Sequence, residues 1–177
     1  MYDAVFLATL CSTGVSSTAM LTWQWAALPD LAAGDVHAML ALRQAVFIIE
    51  QRCIYSDIDD TDPLAFHLLG WQQCHRRPDG QTRALAGYLR LLPPGVKYAE
   101  CALGRVVTAP DVRSTGVGRL LMAEGLRQTG KQFPGLPIRI SAQLRLQRFY
   151  ESFGFDAASL PYDDDGIVHL EMLRSVL

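Results

Sequence analysis

The chain lacks the charge and cysteine patterns of several large protein classes. Its 16 Lys and Arg residues are balanced by 18 Asp and Glu residues. The chain therefore lacks the excess of positive charge that is typical of nucleic-acid-binding proteins, and we predict no nucleic-acid partner. Its four cysteines lie far apart without a C-x-x-C pair, which predicts reduced thiols in a cytoplasmic protein rather than disulfides. Charged residues make up only 19% of the 177 and apolar residues 50%, which excludes intrinsic disorder and suffices for one core.

The N-terminal segment lacks the features of a targeting sequence. Residues 1–42 contain no Lys or Arg, whereas a signal peptide begins with positive charge and a transit peptide contains arginines. Residues 11–18 are too polar to lie in a bilayer, so we predict no membrane partner. We expect residues 1–19 to be a loose or strand-forming extension, with Met20 as an alternative start, and residues 20–177 to form a single domain.

The spacing of apolar and turn residues predicts an α+β fold around a mixed sheet. The predicted elements are, in order, a helix with its N-cap at Asp35 and its end near Glu50, strands at 67–73, 84–92 and 100–108, a helix at 115–130, a strand at 137–143, a helix at 144–153 and a strand at 167–173. A turn at 78–80 would join the first two strands into a hairpin. The helix at 115–130 would bury a stripe of Val117, Leu120, Leu121 and Leu126.

The most informative run lies between the third predicted strand and the second predicted helix. Gly116 and Gly118 stand at the start of that helix, where backbone without side chains can approach an anion closely. The unpaired amides and the positive end of the helix would hold phosphate oxygens, and Arg113 and Arg119 would add charge. The spacing matches neither a Walker loop nor G-x-G-x-x-G, which disfavours ATP and NAD by those routes. The alternative is that the glycines only ease a strand-to-helix turn.

A second motif stands around the helix predicted at 144–153. Arg-x-x-Gly-x-Gly after a strand, followed by this second motif, resembles the GNAT N-acetyltransferases. In that family the first motif is the acetyl-CoA pyrophosphate loop, and the second reads Asn-x-x-Ala-x-x-x-Tyr-x-x-x-Gly-Phe. Here Tyr150, Gly154 and Phe155 match the second motif, whereas Gln143 and Leu146 replace its asparagine and alanine.

The N-terminal half resembles the ElaA-type branch of the same family. The similar stretches are residues 42–60, 67–71 and 165–169, and the resemblance covers residues 23–174. It implies a three-layer α/β/α fold, in which helices flank a mixed, mostly antiparallel sheet and a splayed strand pair holds acyl-CoA. It also implies direct transfer of an acetyl group from acetyl-CoA to a primary amine of a small molecule or peptide.

The resemblance further implies which residues form the site. Tyr150 would be the general acid, because a phenol with a pKa of ~10 suits a departing thiolate with a pKa of ~8.5. The alternative is a core tyrosine whose hydroxyl only finds a structural partner. The residues implied in binding acetyl-CoA are Arg105, Val106, Val107, Arg113, Ser114, Thr115, Gly116, Val117, Gly118, Arg119 and Gln143.

The general base and the amine-binding residues stay open at this stage. The candidates are Arg43, Glu50, His67 and His169. A histidine can take a proton near neutral pH, but each candidate is equally open to a purely structural role. Water relays in the resembled fold can also make a single base unnecessary.

Two acidic runs, at 57–62 and 163–165, invite a metal interpretation. The first lacks the glycine and glutamate that an EF-hand needs at its sixth and twelfth positions. Cys74 and His75 lack a second ligand pair at zinc spacing, so we predict no metal. The run at 163–165 would then be a solvated loop, or both runs would attract a cationic amine substrate.

Two further functions fit the same residues. An acyl-homoserine-lactone synthase shares the resembled fold and a loosely similar Arg-x-x-x-Phe pattern, here Arg43 and Phe47, followed by acidic residues. A non-catalytic module that binds acyl-CoA as a sensor would need no Tyr150. Exposed strand edges in this fold commonly pair, so a homodimer is also possible.

Overall fold

One mixed sheet forms the centre of the computed structural model, which describes residues 21–74 and 82–175. Its strands are β1 (Leu21–Ala27), β2 (Phe66–Gln73), β3 (Arg83–Leu92), β4 (Cys101–Thr108), β5 (Ile138–Gln143), β6 (Asp156–Ala157), β7 (Tyr162–Asp164) and β8 (Ile167–Arg174). They lie in the order β1-β2-β3-β4-β5-β8-β6, with β7 also paired to β8, and every pair is antiparallel except β4 with β5. The expected extension at 1–19 and the turn at 78–80 lie outside the described residues.

Helices cover both faces of this sheet and complete three layers. They are α1 (Ala33–Arg43), which continues as a π-helix at Gln44–Glu50, α2 (Val117–Gln132) and α3 (Gln147–Glu151). On one face Met39 of α1 packs with Leu69 and Tyr88, and on the other Leu121 and Met122 of α2 join the main core. The fold class is confirmed: helices flank a mixed, mostly antiparallel sheet. Among the helices of the described ranges, none is long and apolar enough to span a membrane.

The first helix begins earlier than its sequence suggested. Ala32 is its N-cap, and Asp35 lies in the first turn, so the prediction of an N-cap at Asp35 is wrong. The Asp35 carboxylate is buried and accepts hydrogen bonds from Gln24 Nε2 at 2.9 Å and Arg83 Nη2 at 2.6 Å. Asp35 therefore ties α1 to the sheet, a partnership that its local sequence does not show.

The second helix buries Val117 and Leu121 as predicted, and Leu126 packs against the core, but the prediction for Leu120 is wrong. Leu120 is 46% exposed, while Met122 and Gly125 are buried. A Cβ on Gly125 would lie 2.5 Å from Leu89 Cδ2, so this glycine lets α2 approach β3 closely. The helix packs through this small residue rather than through Leu120.

Strand β1 was missed by the sequence prediction, as were β6 and β7. β6 and β7 have two and three residues, too few to show a period. β1 pairs with β2 so that Trp23 lies opposite Gly70, where a Cβ would come within 2.6 Å of the indole. The residue that makes room for β1 is therefore Gly70, which lies in β2 and far from β1 in the sequence.

Candidate active site

A cavity of about 550 Å³ lies where β4 and β5 part. The two strands pair only at Cys101 with Ile138 and Ala102 with Arg139, whereas β5 pairs with β8 along its whole length. The predicted splayed strand pair is therefore present. β4, β5, β8 and the segment that follows the π-helix all contribute to the walls of the cavity.

A β-bulge bends β4 at the cavity. Between the pairs Tyr88 with Val107 and Arg90 with Gly104, two residues of β4 stand opposite a single residue of β3. The two are Arg105 and Val106, and Arg105 has a left-handed backbone with φ of 52°. Arg105, Val106 and Val107, which the resemblance implied in binding acetyl-CoA, all line the cavity.

A cluster of ion pairs joins this bulge to the segment at 57–62. Three carboxylates and three guanidinium groups alternate, and each contacts two of the other kind at 2.6 to 3.3 Å: Asp57, Asp59 and Asp62 with Arg43, Arg90 and Arg105. The expectation that this acidic run attracts a cationic amine is corrected, because these three carboxylates are already paired with arginines. Asp60 is exposed.

The protonation of this cluster follows from competing effects. Burial would raise the pKa of Asp59 and Asp62, but hydrogen bonds from Arg90 and Arg43 outweigh it and hold both pKa values below the usual range. Both groups are therefore ionised at neutral pH, and the cluster carries balanced charge.

Two candidate substrate residues do not line the cavity: Arg43 is a member of this cluster, and His67 lies beside it. Arg43 and His67 are fully buried, so the expectation that they contact substrate is corrected. His67 Nδ1 lies 2.8 Å from the Tyr88 hydroxyl, and His67 Nε2 lies 3.0 Å from the carbonyl oxygen of Asp62. Burial lowers the pKa of His67, so the ring stays neutral and structural.

The loop before α2 offers unpaired backbone donors. Within the part of the chain that the structure describes, the amides of Ser114, Gly116, Val117 and Gly118 make no hydrogen bond. Gly116 has φ of 93°, and a Cβ on Gly118 would meet only Thr108 Cγ2, at 3.8 Å. Four free N–H groups at the start of a 16-residue helix fit the phosphates of a coenzyme A ester.

The charged residues beside this loop have partners of their own. Arg113 makes two hydrogen bonds of 2.8 Å to the Glu50 carboxylate, and both side chains are about half exposed. These hydrogen bonds lower the pKa of Glu50, which makes it a poor base. Arg119 is exposed, bonds Ser152 Oγ at 3.1 Å and stacks on Phe153, outside the cavity lining. Thr115 Oγ1 donates to the carbonyl oxygen of Val112.

Tyr150 lines the cavity from α3. It is 7% exposed, and its ring packs edge-on against Phe149 and Phe155. Burial raises the pKa of Tyr150 to about 12, so the phenol is protonated at neutral pH. Its hydroxyl makes no hydrogen bond to any residue in 21–74 or 82–175, so no structural partner accounts for it.

Gln143 joins two sides of the cavity. Its Nε2 donates to Gln51 Oε1 at 3.1 Å, and its Oε1 accepts from Arg145 Nε at 2.9 Å. The carboxamide therefore braces β5 against the segment after the π-helix. His169 lies opposite Gln143 on β8 and also lines the cavity.

Sequence reasoning missed several cavity residues. Gln51, Cys53, Tyr55, Ser141 and Asp164 all line it. The first three lie in a segment without regular structure, and β7, which carries Asp164, is too short to leave a period. No local pattern marks these residues, because the strands that bring them together are distant in sequence.

Comparison with known proteins decides the family. The sequence model described as an acetyltransferase (GNAT) domain matches residues 81–176. The chain belongs to the GNAT acetyltransferase family. A UPF0039 protein of Synechocystis is 40% identical over 88% of this chain and 96% of its own length. Protein ElaA of Escherichia coli is 35% identical over 89% of this chain and 99% of its own length, so the predicted ElaA-like branch is confirmed.

Solved structures agree with this placement of the GNAT protein. An acyl-CoA N-acyltransferase from Pseudomonas aeruginosa superposes with a TM-score of 0.79 at 34% identity, covering 88% of this chain and 100% of that one. The crystal structure of Escherichia coli ElaA gives a TM-score of 0.77 at 35% identity with the same coverage. A CoA-dependent acyl-homoserine lactone synthase gives 0.66 at 16% identity, which shows a shared fold alone. The protein is an acyltransferase, and it has the fold of enzymes that use acyl-CoA.

Proposed function

We propose that this GNAT protein is an N-acetyltransferase that moves the acetyl group of acetyl-CoA directly to a primary amine of a small molecule or peptide. The observation that carries the proposal is that one cavity is lined both by Arg113, which directly precedes the free amides of the loop before α2, and by Tyr150. Phosphates held at one end would therefore place a thioester near a protonated phenol at the other.

The residues divide the work between binding and proton transfer. The bound thioester supplies an electrophilic acyl carbon. The amides of Ser114, Gly116, Val117 and Gly118 hold the phosphates, and the backbone of β4 at the bulge aligns the acyl group beside the gap. Tyr150 gives its proton to the departing thiolate, and burial keeps that proton in place at neutral pH.

Direct transfer is supported over a route through an acyl-enzyme. Cys53 lines the cavity and is the cysteine that such a route would use. Burial, together with the negative charges of Asp165 and Asp164, raises the pKa of the Cys53 thiol. A covalent route needs the thiolate, which these surroundings disfavour.

A thiol-release assay with acetyl-CoA against a panel of primary amines tests the proposal. We expect release above the rate of hydrolysis without amine, together with an acetylated amine by mass spectrometry. Binding of acetyl-CoA without such release would instead indicate a sensor module. Release that requires S-adenosylmethionine would indicate a lactone synthase. A homodimer and a cytoplasmic location stay predictions.

A further inference from the structure

His169 is the candidate base that the cavity leaves available. Glu50 is bound to Arg113, and His67 is buried outside the cavity. His169 lies on β8 with its side chain 15% exposed and lines the cavity that also contains Tyr150. A neutral imidazole is a stronger base than a carboxylate, and imidazole rings can take up a proton near neutral pH.

The tautomer of His169 follows from one hydrogen bond. Its Nδ1 lies 2.8 Å from the carbonyl oxygen of Ile167. A carbonyl oxygen only accepts, so Nδ1 carries the hydrogen of the neutral ring and Nε2 holds the lone pair. Nε2 makes no hydrogen bond to another residue of the described ranges. The ring is thus oriented at one nitrogen and free to accept a proton at the other.

One carboxylate and one phenol ring lie beside the imidazole. Asp164 Oδ2 lies 4.0 Å from Nδ1, and the Tyr162 ring stacks on the imidazole with centroids 6.3 Å apart. Glu171 accepts a hydrogen bond from Tyr162. The other ionisable groups that line the cavity are Glu50, Cys53, Tyr55, Lys97, Arg105, Arg113, Arg145, Tyr150 and Asp165. Stacking on Tyr162 and the hydrogen bond from Nδ1 therefore hold the ring in one orientation.

We propose that His169 is the general base of the acyl transfer, an assignment that rests on the proposed function. Nε2 takes a proton from the ammonium form of the acceptor, which frees the nitrogen lone pair. That nitrogen bonds the acyl carbon while the carbon–sulfur bond breaks. The sulfur takes the proton of Tyr150, the new amide loses its extra proton to water, and His169 and Tyr150 exchange protons with solvent to return to their starting states.

The test compares His169→Gln with the wild type in steady-state kinetics between about pH 5 and 9, with the amine that gives the fastest thiol release. In the wild type, kcat/KM falls with unit slope on the acid side. In the variant it falls ~10²–10⁴-fold at neutral pH and recovers as hydroxide deprotonates the amine. His37→Gln, an exposed change on α1, keeps the wild-type profile. Added imidazole restores part of the activity of His169→Ala.

The binding of acetyl-CoA separates this proposal from the function on which it rests. Calorimetry should give the His169→Gln variant the wild-type Kd, because the amides proposed to bind the phosphates lie in the loop before α2, whereas His169 lies on β8. A variant with the wild-type pH profile, or one that no longer binds acetyl-CoA, overturns the assignment of His169 as base. If the wild type itself releases no thiol with any amine, the proposed function fails, and the assignment fails with it.

Discussion

Replacing Tyr150 with phenylalanine removes one oxygen atom and keeps the ring packing against Phe149 and Phe155. The hydroxyl has no hydrogen-bond partner among the described residues, so the usual loss of ~0.5–1.5 kcal/mol for a broken hydrogen bond does not apply. We therefore expect the free energy of unfolding of Tyr150→Phe to stay within ~0.5 kcal/mol of the wild type. Urea unfolding followed by circular dichroism measures this.

The effect on turnover should be large. A positioned proton donor contributes ~10²–10⁴-fold, which corresponds to about 3 to 5 kcal/mol in the barrier at ~1.36 kcal/mol per tenfold. The loss belongs in kcat rather than in KM, because the proton is needed only as the thiolate departs. Steady-state thiol release with acetyl-CoA and a fixed amine separates the two.

The pKa of about 12 constrains how Tyr150 acts. A free thiol has a pKa of ~8.5, so complete transfer from the phenol would be uphill by ~3.5 units, or about 5 kcal/mol. The thiolate develops in the same buried cavity, where desolvation raises its pKa as well and reduces this difference. Because the phenol keeps its proton until about pH 12, kcat should show no alkaline loss due to Tyr150 below about pH 11.

Tyr98→Phe is the matched control. The Tyr98 hydroxyl donates to Glu171 Oε1 at 2.8 Å and does not line the cavity. The control should lose ~0.5–1.5 kcal/mol of stability and keep kcat, the reverse of Tyr150→Phe. Wild-type kcat in a folded Tyr150→Phe variant would refute the role of general acid, and loss of acetyl-CoA binding would make the hydroxyl a ligand instead.

Two other predictions concern the phosphate loop and the ion-pair cluster. Gly118→Val should weaken binding of coenzyme A at least tenfold, a cost of ~1.4 kcal/mol, while the fold is kept, because a Cβ there meets only Thr108 at 3.8 Å and the added methyl groups displace the anion; unchanged affinity by calorimetry would contradict the loop assignment. Asp62→Asn should cost ~3–5 kcal/mol in urea unfolding, since two buried guanidinium groups lose their shared partner, whereas the exposed Asp60→Asn should cost little. Because the folded pKa of Asp62 lies below its unfolded value of ~3.9, its contribution to stability is present above that pH and should disappear as the pH falls below ~4; constant stability down to pH ~2 would contradict the pairing.

The free amides of the loop before α2 could be predicted because their determinants are local. The glycines at 116 and 118 stand at the start of the helix, where backbone amides lack intrahelical partners, whereas the binding of phosphate there stays a prediction. The place of Tyr150 in the cavity could also be predicted from the sequence, because Gly154 and Phe155 complete its motif within five residues. The strand order was accessible only through the resemblance, since periodicity gives elements but not their neighbours.

The roles of Arg43, His67 and the acidic run could not be predicted in the same way. Arg90 bonds Asp59 and Asp62 from about 30 residues away, and the alternation of charges exists only in the folded sheet. Each acidic or basic residue, taken alone, looks like a solvated or functional group. Only burial distinguishes these side chains from Asp164, an acidic residue that is exposed and lines the cavity.

The ion-pair cluster explains how the cavity keeps its shape. Arg105 carries a left-handed backbone, which is costly for a residue with a side chain, and its guanidinium lies 2.7 Å from Asp57 and 3.3 Å from Asp59. The segment before Asp57 includes Gln51 and Cys53, which also line the cavity. One cluster therefore holds the bulge in β4 and anchors the segment that carries these lining residues. Buried ion pairs stabilise a fold less than apolar packing does, but their directional hydrogen bonds hold a backbone in one geometry, and acyl transfer depends on that geometry.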